Sequence, residues 1–260
     1  MNAITIITVV KNHEIGLERT ISSVLDQEFR DWELLIVVGE SVDKTKLISR
    51  AYVQLYDNIK VIDQIGNGIY EAMNQGLKLV NSKFVWFLNA GDVFYDSNSL
   101  SLGLFKAQEL EADIVIGGHS VQGQENTRTY VYSEKRLRIN QFAFTRRGSC
   151  HQSMIYKTET LKKIKGFNTE YLICSDFESV LKILLLGKVF RVQHLFSSVE
   201  PGGGADKNIE FVMLERQRVR RKILTPIPSI FMGVPWTLLA IAKIKLKRSF
   251  VPPRLSRALK

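Results

Sequence analysis

Lys83-Phe84-Val85-Trp86-Phe87-Leu88-Asn89-Ala90-Gly91-Asp92 decides the fold: five large apolar residues in a row run into a polar tetrapeptide that ends in a carboxylate. An uninterrupted apolar run of this length suits a strand buried on both faces of a parallel sheet. Open α/β sheets bind ligands in the crevice beyond the carboxyl ends of their strands, so Asn89 and Asp92 are expected there. Gly91 lets the backbone bend sharply between them. Their oxygens are the hard donors that Mg²⁺ or Mn²⁺ accepts while the metal also holds a substrate phosphate. Taken alone, the tetrapeptide reads first as a strand-ending turn, because Asn, Gly and Asp all favour turns.

Just upstream, Ile69 to Val80 places Ile69, Met73, Leu77 and Val80 on one face of a helix. The stretch Gly66-Asn67-Gly68-Ile69-Tyr70-Glu71-Ala72-Met73-Asn74-Gln75-Gly76, followed by Phe87-Leu88-Asn89-Ala90-Gly91-Asp92, resembles the sugar-nucleotide half of family-two glycosyltransferases of the GT-A fold. Those commonly read Asp-x-Gly-Ile-Tyr-Asp-Ala-Met-Asn-x-Gly and then Phe-Leu-Asn-Ser-x-Asp. The resemblance covers roughly residues 3 to 225 and points to bacterial transferases of the colanic-acid and O-antigen type.

The resemblance implies an α/β GT-A, Rossmann-like architecture, a mostly parallel sheet flanked by helices, and a nucleotide diphosphate sugar as donor. Donor contacts carry over to Val10, Asn12, Glu40, Gly68, Met73, Asn74, Asn89, Ala90 and Gly91, and a Mg or Mn site to Asp92 with Asn89. Cys150-His151-Gln152 matches a His-Gln that precedes a strand in the family, which makes His151 and Gln152 substrate candidates, with a structural histidine as the alternative. Cys174-Ser175-Asp176-Phe177-Glu178 falls where the family places a carboxylate facing the acceptor. An inverting sugar transfer needs a base for the acceptor hydroxyl; Asp176 aligns with it, Glu178 is the rival, and an N-cap is the alternative role for Asp176. Arg146 and Arg147 are candidates for the diphosphate or a solvated pair on a loop.

Two positions depart from the family pattern. Aligning on Ser41 and Thr45 puts Val38 where relatives carry the Asp that helps hold the base, with Glu40 as a neighbouring acid, and Gly66 stands where Asp precedes Asn-Gly-Ile-Tyr. Those losses leave the base undetermined and leave the metal tetrapeptide intact.

The rest of the chain alternates strand and helix patterns. Ala3 to Val10 and Trp32 to Val38 are expected strands, Ile15 to Leu25 a helix, and Asp43 the N-cap of a helix through Tyr56. Ile59 to Asp63 is a third strand. This order specifies a parallel sheet with right-handed crossovers. Asn98 to Leu110 reads as a helix, Asp113 to Gly118 as a strand, and Tyr130 with Tyr132 as a hairpin, where His119 is expected to cap or solvate the turn rather than bind metal.

The formal net charge of +10 is concentrated in one place. From Asp206 to Lys260 there are 13 Lys and Arg against Asp206, Glu210 and Glu215, so residues 1–205 are neutral overall. Nucleic-acid binding by the body therefore has no basic excess to draw on. The tail suits an anionic membrane surface, at about 1 kcal/mol per well-placed basic residue.

Glu210 to Ile223 is an expected basic helix. Ile223 to Ala242 lacks charge, but Pro226, Pro228 and Pro235 break the continuous helix that lipid demands. Val234 to Leu246 with its lysines then reads as an interfacial anchor, or as a segment packed on the body. Pro201 to Asp206 resembles the glycine loop that relatives place beside the site.

The expected division is a GT-A domain over 1–205, with halves 1–97 and 98–205, and a basic tail over 206–260. Cys150 and Cys174 have no metal-type spacing and read as reduced thiols, and the start at Met1 runs straight into a strand, so a cytoplasmic, peripherally membrane-bound enzyme is expected. The function expected from the resemblance is inverting transfer of a sugar to a lipid-linked glycan acceptor. The alternatives are a nucleotidyltransferase or a silent homologue acting as an assembly subunit.

Overall fold

The computed structural model describes residues 2–122, 127–145, 150–203 and 208–224. The first half alternates as the sequence pattern requires: β1 (Ile4–Val10), α1 (Glu14–Leu25), β2 (Trp32–Val38), α2 (Thr45–Leu55), β3 (Ile59–Asp63), α3 (Ile69–Leu79) and β4 (Phe84–Phe87). The second half is less regular. It runs β5 (Val93–Phe94), α4 (Ser99–Glu109), β6 (Ile114–Gln122), β7 (Thr127–Tyr130), β8 (Lys135–Arg136), α5 (Ile139–Ala143), β9 (Met154–Lys157), α6 (Thr158–Lys163), α7 (Ser175–Leu184), β10 (Val189–Val199) and α8 (Ile209–Leu224).

All ten strands among the described residues join one sheet in the order β3-β2-β1-β4-β9-β6-β10-β5, with β7 on β6 and β8 on β10. The pairs among β3, β2, β1 and β4 are parallel. Beyond β4 the sheet becomes mixed, because β9 runs antiparallel to both β4 and β6 while β10 runs parallel to β6. From β1 the chain moves outward to β2 and β3 and then returns to the other side of β1 as β4. The strand order therefore reverses between β1 and β4, which is where an open α/β sheet offers its ligand crevice.

The apolar runs are continuous because both faces are covered. Phe84, Trp86 and Leu88 enter one core with α1 and α4, whereas Val85 and Phe87 enter a second core with α3, α6, α7 and α8. Trp86 is fully buried, with Phe94 edge-on at 4.9 Å and Phe196 at 5.2 Å. At Gly76, α3 approaches the sheet so closely that a Cβ would lie 3.0 Å from Ile7 and 3.2 Å from Val37.

Several expectations are corrected. Ile69 opens α3 and is 41% exposed, so the buried face is Met73, Leu77 and Val80. Asp43 precedes the cap position of α2, held by Lys44, and its carboxylate accepts from the amides of Thr45 and Glu14, tying α1 to α2. The strand expected to end at Gly118 continues to Gln122, and His119 lies within it, stacked on Tyr130 across the hairpin at 4.6 Å. Burial pushes that imidazole down to about 4.

The helix placed by sequence in the tail, α8, packs on the body and puts Val219 and Leu224 into the second core. Residues 225–260, including the expected interfacial segment, lie outside the described residues. Among the described residues no helix is long and apolar enough to cross a membrane, and both cysteines are free.

Candidate active site

The turn after β4 is held by a residue on α1. Thr20 donates its hydroxyl proton to the carbonyl oxygen of Asp92 at 2.7 Å and accepts from the Gly91 amide at 3.0 Å. The amide of Ala90 is bound to the Val9 carbonyl, so the turn is also stitched to β1. Gly91 adopts φ +97, a conformation that favours glycine, and a Cβ there would lie 2.2 Å from Oε2 of Glu200.

Asp92 is 5% exposed, and burial raises its carboxyl to about 6 against the lowering effect of its hydrogen bonds. Its Oδ2 accepts from Nε2 of Gln152 at 2.8 Å and its Oδ1 from the Glu200 amide at 2.9 Å. Gln152 is itself fixed: Trp86 Nε1 donates to its carbonyl oxygen at 2.8 Å, and the Cys150 thiol donates to its side-chain oxygen at 2.7 Å. The core tryptophan of β4 thus sets the partner of the carboxylate that follows β4.

Asn89 meets the second half through His151. An amide nitrogen can act only as a donor, so the 2.9 Å contact from Asn89 Nδ2 makes Nε2 of His151 the acceptor and leaves the proton on Nδ1. Nδ1 faces Oδ2 of Asp176 at 3.7 Å. Asp176 is the second residue of α7, behind Cys174 at the cap, so it is a first-turn acid favoured by the helix terminus rather than an N-cap.

Burial, reinforced by the charge of Asp176, pushes up the phenols of Tyr70 and Tyr156 and the thiol of Cys174. Glu178 turns elsewhere: it is 1% exposed, accepts from Asn168 at 3.2 Å and pairs with Lys182 at 2.8 Å. The structure therefore brings Asp176 to His151 and commits its rival to the interior.

Among the residues expected to contact the donor, Val10 is buried at the end of β1, and Asn12 links the loops after β1 and β2 by accepting from the Val42 amide at 2.8 Å and donating to Ser41 at 3.0 Å. Glu40 points to solvent, 86% exposed, and pairs with Lys46. Gly68 caps α3 at φ +113. Met73 is fully buried, and the Asn74 side chain is spent on the backbone of Phe167, at 2.6 and 2.8 Å. These last two belong to the scaffold behind the crevice. Arg146 and Arg147 lie outside the described residues.

Two site residues escaped the sequence reading. Thr20 is one. The other is Glu200, whose carboxylate contacts Nε2 of His13 at 3.1 Å and Arg19 at 3.5 Å while its amide holds Asp92. Neither stands in a recognisable local pattern; both act across the sheet.

A divalent cation fits this donor set. Among the described residues no group of three or more His, Cys, Asp or Glu side chains is arranged to hold one. The chain offers instead the Asp92 carboxylate and the buried Oδ1 of Asn89, which has no hydrogen-bond partner. Two hard oxygens, with phosphate and water completing the shell, is how Mg²⁺ is commonly bound.

Comparison with known proteins gives the following. Residues 5–170 match the family model described as Glycosyl transferase family 2. A PGL/p-HBAD biosynthesis glycosyltransferase of Mycobacterium bovis is 25% identical over 164 residues, covering 62% of this chain and 62% of that protein. The chain thus spans about three-fifths of that relative's length. The fold resembles S. aureus TarS 1–349 in complex with UDP-GlcNAc, with TM-score 0.68 at 17% identity over 86% of this chain and 72% of that one. It also resembles the mannosyltransferase PcManGT from Pyrobaculum calidifontis in complex with GDP-Man and Mn²⁺, with TM-score 0.69 at 15% identity over 99% and 76%.

Proposed function

The chain belongs to glycosyl transferase family 2, and from that premise we propose that it moves a sugar from a nucleotide diphosphate sugar to a lipid-linked glycan acceptor in surface-polysaccharide assembly, inverting the anomeric centre. One observation carries the reading. Asp92 and Asp176 approach the same short turn from two halves of the fold, Asp92 through Gln152 and Asp176 through His151.

In this mechanism Asp176 takes the proton of the acceptor hydroxyl as that oxygen attacks the anomeric carbon. The new C–O bond forms as the bond to the diphosphate breaks on the opposite face, and the diphosphate leaves with the electron pair. His151, its Nε2 fixed by Asn89, presents Nδ1–H toward Asp176 and orients the carboxylate. Asp92 and Asn89 would hold Mg²⁺ or Mn²⁺, which supplies positive charge against the diphosphate leaving group. Fold neighbours bound to nucleotide sugars support the donor class. The lipid-linked acceptor and peripheral membrane location rest on the basic excess beyond residue 205. The reading is preferred to nucleotidyl transfer because of the family match over β1 to the segment before α7.

The test is a thermal-shift screen of UDP, GDP and their sugars with and without Mn²⁺, followed by Asp176→Asn. A nucleotide at a hundred times its dissociation constant should stabilise the fold by about 2.7 kcal/mol. Asp176→Asn should keep that shift while nucleoside diphosphate release falls by ~10²–10⁴. Release near the wild-type rate would remove Asp176 from the base role.

A further inference from the structure

We propose that Glu215, on the last described helix, is a positioning residue for Asp176: it holds the segment that leads into α7 and so sets where the carboxylate stands. The inference rests on the base role proposed above for Asp176. Three consecutive amides, of Leu172, Ile173 and Cys174, donate to the one Glu215 carboxylate at 2.7, 2.9 and 2.8 Å. Successive N–H groups converging on an anion form a nest, and hydrogen bonds to a charged acceptor are the strong ones. Glu215 is 7% exposed, so water offers these amides little replacement.

The clamped segment ends where the base begins. Cys174 is the cap residue of α7, and Asp176 follows two positions later. From the opposite side, Tyr70 of α3 donates its hydroxyl to the Ile173 carbonyl. The approach to Asp176 is therefore gripped by α8 on one side and, on the other, by the helix that carries the Gly-Asn-Gly-Ile-Tyr motif.

Alongside Glu215, Arg216 lies over the Phe177 ring at 5.2 Å. Arg220 lies over the same ring at 5.6 Å and donates to the Ala143 carbonyl at 2.6 Å. These contacts seat α8 on the first turn of α7. The family match stops at residue 170, so both Asp176 and Glu215 come from the part of the chain beyond it.

The test is a double-mutant cycle on nucleoside diphosphate release from the most strongly stabilising nucleotide sugar of the thermal-shift screen, using Glu215→Gln, Asp176→Asn and the pair. Glu215→Gln is nearly isosteric but turns one acceptor oxygen into a donor, facing amides that are donors already. Displacement of a reacting group by about 1 Å can cost ~10²-fold, so Glu215→Gln should lower kcat by roughly 10–100-fold. Donor KM should stay within about twofold, the signature of an interaction that matters to the chemical step.

In the Asp176→Asn background the second substitution should cost almost nothing, because residues acting through one group are non-additive. Additive losses, or an unchanged kcat for Glu215→Gln beside an impaired Asp176→Asn, would overturn the inference while leaving the base intact. A wild-type rate for Asp176→Asn would overturn the base reading and this inference with it. If Glu215→Gln does not fold, Glu215→Asp, which keeps the charge but draws back by one methylene, is carried through the same cycle with the same criteria.

Discussion

The backbone amide of Glu200 donates to Oδ1 of Asp92 at 2.9 Å across 108 residues of sequence, while the Glu200 carboxylate reaches over Gly91 to His13. The end of β10 is thereby joined to the turn after β4, and the first loop of the chain is joined to both. The geometry of the carboxylate turn is a property of three distant segments.

Gly91 is the tightest point of that junction. Gly91→Ala should destabilise the protein by about 1–3 kcal/mol, the usual cost of a non-glycine residue in a sparsely populated backbone region. The steric contact is with the far end of Glu200, which can swing aside, so backbone strain at φ +97 dominates. Urea midpoints of the two proteins measure it, and equal midpoints would mean that the turn relaxes freely.

Thr20→Val is the corresponding test from α1. The substitution keeps the shape and removes the hydroxyl, taking the buried donor from the Asp92 carbonyl, while the Gly91 amide keeps the Gly16 carbonyl at 3.1 Å. A lost partner of this kind costs about 1–3 kcal/mol. A stability loss in that range, together with weaker Mn²⁺-dependent nucleotide binding by calorimetry, is the expected result; loss of stability with binding unchanged would separate the turn from the cation.

His119 makes the folded state sensitive to acid. Its pKa drops from 6.5 to about 4 on burial, so below pH 6.5 the unfolded chain takes up a proton that the folded chain refuses until about pH 4. Stability from this group is therefore fully present above pH 6.5 and is lost as pH falls toward 4. His119→Phe keeps a ring stacked on Tyr130 and removes the titration. The stability of the variant relative to wild type should rise by roughly 2 kcal/mol between pH 7 and pH 4, at about 1.4 kcal/mol per pKa unit discounted for partial exposure. Parallel stability curves against pH would place the acid sensitivity elsewhere.

Truncation after Leu224 keeps α8 and its core contacts but removes residues 225–260. Flotation with anionic vesicles should then show the shortened protein left behind, because a well-placed basic residue at an anionic surface is worth ~1 kcal/mol. Full retention would assign membrane docking to the body.

The parts of the fold legible in sequence were those written in local periodicity. Phe84 to Leu88 announced β4 because both faces of that strand are buried, and the crevice expected beyond its carboxyl end then pointed to Asn89 and Asp92. Asp176 could be named and Glu178 could not be dismissed, since both stand in one helical turn; only the folded chain shows that Glu178 is occupied by Lys182 and Asn168. Thr20 and Glu200 were invisible because an ordinary threonine on a helix and a glutamate before a glycine run carry no local mark. Their partners lie 72 and 108 residues away. Asn74 shows what a motif leaves out: its side chain fastens α3 to the backbone of Phe167, a contact with no local mark in the sequence.

The grip of Glu215 on Leu172 to Cys174 also bears on how the molecule comes into being. The segment before Asp176 gains its anionic partner some forty residues after it has itself been made. The stretch that leads into α7 therefore reaches its clamped geometry only once α8 has been made and has docked.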